Sequence, residues 1–221
     1  MLLLLLTVIT FLSSSVFAQN KQSAASKMIN FTFDEVAVGK IPANWKVQAT
    51  NQRGPLATWQ VVEDSIAPSG KNVLALLRPN HTFGGTFNLC WTDRIQFLNG
   101  TITVHFKANS GEEDEGGGVI WRAKDKDNYY ISRYNPLEDN FRIYYVKDGA
   151  RRMLASARLK LPVHVWHTMK IVQNANKISG YLNGKKLLEV EDNTFPESGG
   201  VGLWTKADAA TSFDGFSVQA K

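Results

Sequence analysis

A single cysteine in 221 residues, Cys90, excludes an intramolecular disulfide framework. Its setting in FNLCW is that of a small buried hydrophobe rather than a redox thiol. The Lys/Arg cluster that nucleic-acid binding normally needs is missing: 25 Lys and Arg against 20 Asp and Glu leave a net charge of +5 spread along the chain, which argues against a nucleic-acid partner. With 17 Gly and 7 Pro the chain is neither collagenous nor low in complexity. The four histidines, His81, His105, His164 and His167, form no HExxH pattern and have no cysteine pair beside them, so catalytic zinc is not indicated. Nucleophile-elbow, phosphate-loop and dinucleotide fingerprints are also missing.

The one concentrated apolar run lies at the start. Residues 2–12 have the length of a signal-peptide core, three serines follow, and Val16 and Ala18 supply the small residues of a cleavage site. Residues 1–18 therefore read as a signal peptide, although no Lys or Arg precedes the run. Residues 19–28 read as a flexible lead-in and 29–221 as one domain. The run is short of the ~20 residues that a membrane helix needs, so no span is expected after cleavage. This implies an exported protein, periplasmic or extracellular. Its oligomeric state is not written in the sequence.

Helical periodicity is nearly absent. Period-two patterns recur instead between Gly, Asn, Asp and Pro signals, including TWQVVE from Thr58, TITVHFKA from Thr101, NYYISRY from Asn128 and NFRIYYV from Asn140. Asn183-Gly184 stands between two alternating runs and predicts a tight hairpin, because both residues accept positive φ. More than a dozen short strands with no helices to serve as crossovers require antiparallel, face-packed sheets.

The C-terminal run from Trp166 carries a Trp-led strand, the LNGKKL hairpin, a D-x-T-F turn, GGVGLWTKAD and a closing FDGF strand. Together with FDEVAVGKIPANW and GGGVIWRAKDKDNYYISRYNPLEDNFRIYYV, these elements resemble concanavalin A-like lectin/glucanase domains, in particular the 3-keto-disaccharide hydrolase family, also labelled DUF1080. The resemblance covers most of residues 29–218. It implies an all-β jelly-roll sandwich of two curved antiparallel sheets with ligands bound on the concave face. It also implies either carbohydrate binding or glycoside hydrolysis, since one fold hosts both. A protein-interaction domain without a small ligand is the third reading. No cofactor is required. A structural calcium ion is the one candidate, with Asp34 of FDEVAVG and Asp214 of SFDGF as ligands, and the same two residues also suit local hydrogen bonds.

The densest polar and aromatic cluster lies between residues 118 and 145. On NFRIYYV, Phe141, Ile143 and Tyr145 share one face, the expected core, and Asn140, Arg142 and Tyr144 share the other. The second set suits a saccharide: rings cover the C–H faces of a pyranose while Arg and Asn bond its hydroxyls. On NYYISRY the apolar parity is Tyr129 with Ile131, which predicts that Asn128, Tyr130, Ser132 and Tyr134 face the groove. Arg133 then falls on the core parity and must lie beyond the sheet edge, follow a bulge or pair with a buried carboxylate. Trp121, Arg122, Asn135 and Glu138 complete the expected ligand-binding set, with Trp204 and Lys206 at its rim. Trp91, by its position in FNLCW, is counted with them at the rim. Glu138 and Asp208 are the candidate catalytic carboxylates. The acidic run Glu112, Glu113, Asp114 and Glu115 lies between glycines and reads as a loop, without the alternate spacing that places two glucanase carboxylates ~5 Å apart on one strand.

Overall fold

The computed structural model describes residues 28–78 and 84–221. The predicted signal peptide, the lead-in through residue 27, and His81 lie outside the described residues. Fifteen strands follow one another: β1 (Met28–Phe31), β2 (Lys46–Thr50), β3 (Thr58–Glu63), β4 (Asn72–Arg78), β5 (Phe87–Phe97), β6 (Gly100–Ser110), β7 (Gly117–Asp125) and β8 (Asn128–Asn135), then β9 (Asn140–Lys147), β10 (Ala150–Arg158), β11 (His167–Asn174), β12 (Lys177–Leu182), β13 (Lys185–Glu191), β14 (Gly199–Lys206) and β15 (Ala210–Ala220). No helix among the described residues is long and apolar enough to cross a membrane.

The strands form two antiparallel sheets, a jelly-roll sandwich as the sequence predicts. One has eight strands in the order β13-β12-β11-β6-β15-β4-β3, with β1 also pairing β15, and the other has seven in the order β10-β9-β8-β7-β14-β5-β2. Asn183 and Gly184, at φ 48° and 82°, join β12 to β13 as a two-residue turn. Asp148 and Gly149 do the same between β9 and β10 at φ 50° and 77°.

The two sheets are built differently. In the eight-stranded sheet, β6 alternates cleanly, with Ile102, Val104, Phe106 and Ala108 buried and the residues between them partly exposed. In the seven-stranded sheet, β8 and β14 are buried along almost their whole length on both faces. Its inner face contributes Val119, Trp121, Tyr130, Tyr134, Phe141, Ile143 and Leu203 to the core between the sheets. Phe141 and Ile143 are fully buried there, each contributing about 1.5–3 kcal/mol. Its outer face carries a second apolar layer that includes Phe87, Trp91, Tyr129, Ile131, Tyr144 and Trp204. Two strands of this sheet, β2 and β5, are not apparent from alternation: β2 is short and polar, and the first six residues of β5 are all buried, so both parities look apolar.

Candidate functional site

The register of the seven-stranded sheet places seven residues in one row across its outer face: Ser156, Arg142, Arg133, Gly118, Trp204, Leu89 and Gln48, each directly opposite the next. Arg133 and Arg142 thus oppose each other, an arrangement of like charges that destabilises a sheet unless it is neutralised. Glu138 bridges the two and offsets one of the charges. Its Oε2 accepts from Arg133 Nη2 at 2.8 Å, from Arg142 Nη1 at 2.9 Å and from Asn140 Nδ2 at 2.9 Å. Arg133 Nη1 donates to Asn140 Oδ1 at 2.8 Å, and Arg142 Nε to Ser156 Oγ at 3.1 Å. Both arginines also reach the Tyr144 hydroxyl, at 3.2 and 3.3 Å.

The loop between β8 and β9 that presents Glu138 is held by polar side chains beneath it. Asn135, buried, accepts the Leu137 and Glu138 N–H groups at its Oδ1 and donates through Nδ2 to Asp114 at 2.9 Å. Asp114 pairs in turn with Lys206 at 2.9 Å. The acidic run is a loop, as expected, and Asp208 secures it by accepting the N–H groups of Glu112, Glu113 and Asp114 at 2.7, 3.1 and 2.9 Å.

Protonation follows from these contacts. Burial alone would raise the Glu138 carboxyl, but the bonds from Arg133 and Asn140 and the charges of Arg133 and Arg142 outweigh it and hold the group at about 2. Burial likewise opposes ionisation of Asp208, and its three backbone donors reverse the effect and lower the carboxyl. Asp114 goes the other way, raised by burial against the pull of Lys206. The two carboxylates expected as candidate acids are therefore held ionised, which suits neither to donate a proton near neutral pH.

The aromatic layer beside this row is capped by cations. Phe87, Trp91, Tyr144 and Trp204 are each no more than 5% exposed. The Arg151 guanidinium carbon lies 4.5 Å from the Tyr144 ring centre, 5.0 Å from Phe87 and 5.9 Å from Trp204, and Lys46 Nζ lies 4.1 Å from Trp91. A cavity of ≈ 440 Å³ opens against this cap, lined by Asn51, Gln52, Arg53, Phe87 and Arg151 with two glycines. The rings form a floor beneath guanidinium groups, and the groups offered to a ligand are Arg151, Arg142, Glu138 and the amides around the cavity.

Several expected site residues lie elsewhere. The parity of β8 is the reverse of that predicted: Tyr130 and Tyr134 point into the core between the sheets, while Tyr129, Ile131 and Arg133 face outward. Both faces of β8 are apolar enough to pass for the inside. Trp121 is in the inner core too, its Nε1 donating to Gln173 Oε1 at 2.9 Å on the opposite sheet. Arg122, at φ 46°, is buried and tied to the carbonyls of Leu98, Ala175 and Phe195 at 2.7–2.9 Å, beside a separate cavity of ≈ 480 Å³. Asn128 ties two turns together through Asp125 and the Asp148 N–H. Trp204 belongs to the outer face but is sealed. Arg133, Asn135, Glu138, Asn140, Arg142, Tyr144 and Lys206 are brought together.

Arg151 was not among the expected residues, nor was Arg53. The Asp148-Gly149 turn was the available signal for Arg151, because a two-residue loop pairs Arg151 with Val146, on the face of Tyr144.

Asp34 and Asp214 both serve the turn before β4. Asp34 accepts the Lys71 and Asn72 N–H groups at 2.9 and 3.0 Å, and Asp214 accepts the Ser69 N–H and hydroxyl at 2.7 and 2.8 Å. A calcium ion needs converging oxygens, whereas N–H donors converge here, so this arrangement does not fit the ion. No three His, Cys, Asp or Glu side chains gather as a metal site among the described residues.

A sandwich of this kind has known relatives. The family model described as "3-keto-alpha-glucoside-1,2-lyase-like domain" matches residues 32–219, and the chain belongs to that family. Among solved structures it is similar to the carbohydrate-binding module CBM66 from Bacillus subtilis, with a TM-score of 0.60 and 17% identity over 78% of this chain and 93% of that one. It is also similar to the cellulose-induced protein Cip1, at TM-score 0.60 and 14% identity over 87% and 96% of the two chains. The Bacillus licheniformis beta-glucanase follows at 0.55 and 12%, over 90% of this chain and 100% of that one. At these identities the likeness is one of fold. No curated protein matches the chain in sequence.

Proposed function

We propose that the chain is an exported saccharide- or glycoconjugate-binding domain whose ligand lies over the outer face of the seven-stranded sheet. The observation that carries this reading is the Arg142-Arg133-Glu138-Asn140 network, joined through Tyr144 to Arg151 at the ≈ 440 Å³ cavity. It is a preorganised set of planar donors and acceptors on two paired strands and the short loop between them, the arrangement that fixes hydroxyl-rich ligands. The carbohydrate-binding module among the similar structures and the glucoside in the family description support the same ligand class. Export is supported by the signal-peptide pattern read in residues 1–18.

A glycan array followed by calorimetry tests the reading. Binding that weakens about tenfold in Arg142→Ala, equal to ~1.4 kcal/mol, supports it; a blank array overturns it and leaves a protein partner as the alternative.

Glycoside cleavage is the second reading, favoured by the family description. It predicts turnover of 3-keto-glucosides that falls in Glu138→Gln or Asp208→Asn. Unchanged turnover in both variants removes those carboxylates from catalytic roles.

A further inference from the structure

The charges around the site do not balance within it. Glu138 serves Arg133 and Arg142 together, and Asp114 is paired with Lys206. Two carboxylates therefore answer three cations before Arg151 is counted. Arg151 has no carboxylate at ion-pair distance among the described residues, and Asp114, already paired with Lys206, acts on it only from further off: its guanidinium rests on the Tyr144, Phe87 and Trp204 rings, and its Nη1 is buried without a hydrogen bond. Arg133, itself only 1% exposed, keeps a buried Nε without a partner as well.

Such donors are costly to leave unmet. A guanidinium cannot discharge itself by losing its proton under ordinary conditions. Stacking on rings offsets part of its lost hydration but supplies no acceptor to a buried N–H. The side of the cap that opens outward is the ≈ 440 Å³ cavity, where Arg53 lines a second wall and no carboxylate is among the lining residues. With an apolar floor beneath it, an oxyanion entering there meets Arg151 in poorly screened surroundings, where the attraction is stronger than in bulk water. A neutral hexose leaves that guanidinium with no carboxylate at ion-pair distance.

We infer that the ligand is an acidic saccharide, and that its oxyanion, a uronate carboxylate or a sulfate ester, docks against Arg151 in the cavity shared with Arg53. The inference rests on the saccharide-binding reading and narrows it to a charged class.

The test is calorimetric titration of the full chain with three matched oligosaccharides, one neutral, one built of uronic acids and one sulfated. Each is measured at low and high ionic strength and repeated on Arg151→Gln and Arg151→Lys, with thermal melts confirming that both variants fold. The acidic sugars should bind at least about tenfold tighter than the neutral one, as expected of charge-assisted bonds. The advantage should shrink with salt, vanish in Arg151→Gln and survive in part in Arg151→Lys. The uronate and sulfate arms identify which oxyanion is preferred. If the neutral sugar binds as tightly as both acidic ones, or if Arg151→Gln leaves their affinity unchanged, the inference fails while saccharide binding stands. If none of the three binds and the array is also blank, both fail.

Discussion

Arg133 and Glu138 form an unequal pair: the arginine side chain is 1% exposed and the carboxylate 45%, yet they meet at 2.8 Å. The loop that carries Glu138 acts as a charged lid on a buried cation, and removing the carboxylate strands that cation. Glu138→Ala should destabilise the domain by about 2 kcal/mol, read from urea denaturation. Combined with Arg142→Ala the loss should be less than additive, because one of the opposed charges is then gone. Strict additivity would show that the three groups do not act as a unit.

The same carboxyl sets an acid limb. Its value of about 2 lies below the ordinary 4.5, so its contribution to stability is complete above about 4.5 and is lost as the pH falls toward 2. Glu138→Gln should flatten the decline of stability across that window. Asp114, raised by burial, acts with the opposite sign, and Asp114→Asn should not flatten it. Melting temperatures measured across the window decide the matter; parallel curves for wild type and Glu138→Gln would sink the assignment.

The sandwich was legible because turn chemistry and period two agree over most of the chain. The outward face of β9 was legible too: Phe141 and Ile143 are unambiguous core residues, which puts Arg142 and Tyr144 opposite. β8 was misread because Tyr129 and Ile131 outweighed Arg133 in a strand with apolar residues on both sides. The hairpin itself held the correction. Asn135 opposite Asn140 across a four-residue loop forces Arg133 opposite Arg142, and opposed residues share a face, so placing Arg142 outward places Arg133 outward. What no local pattern could reveal is that long cations from β10 and β2 fold over the outer rings, since those contacts join strands distant in the chain.

Tyr130 separates core from site. Its hydroxyl donates to Asp192 at 2.5 Å and accepts the Phe195 N–H at 3.2 Å within the inner layer. Tyr130→Phe should cost about 1 kcal/mol of stability and leave saccharide affinity unchanged. A selective loss of affinity with stability intact would return Tyr130 to the binding surface.

Gly118 is the gap in the row of side chains that crosses the outer face. A Cβ there would stand 1.8 Å from the Ser132 carbonyl oxygen and 2.8 Å from the Arg133 Cα, both backbone atoms that cannot step aside. Gly118→Ala should therefore destabilise the domain by about 3 kcal/mol or more, a large fall in melting temperature. A near-neutral change would mean that β7 and β8 can separate without disturbing the sheet.

Trp204 has one further consequence. Its indole is sealed from water, donates to the Tyr129 hydroxyl at 3.3 Å and has the Arg151 guanidinium carbon 5.9 Å from its ring. A full positive charge so near a buried chromophore shifts the light that the indole emits. An occupant that draws Arg151 outward alters that field and shifts the emission spectrum without touching the ring. Should the cavity take the ligand proposed above, the Trp204 share of the emission of six tryptophans is expected to report its occupancy without any added label.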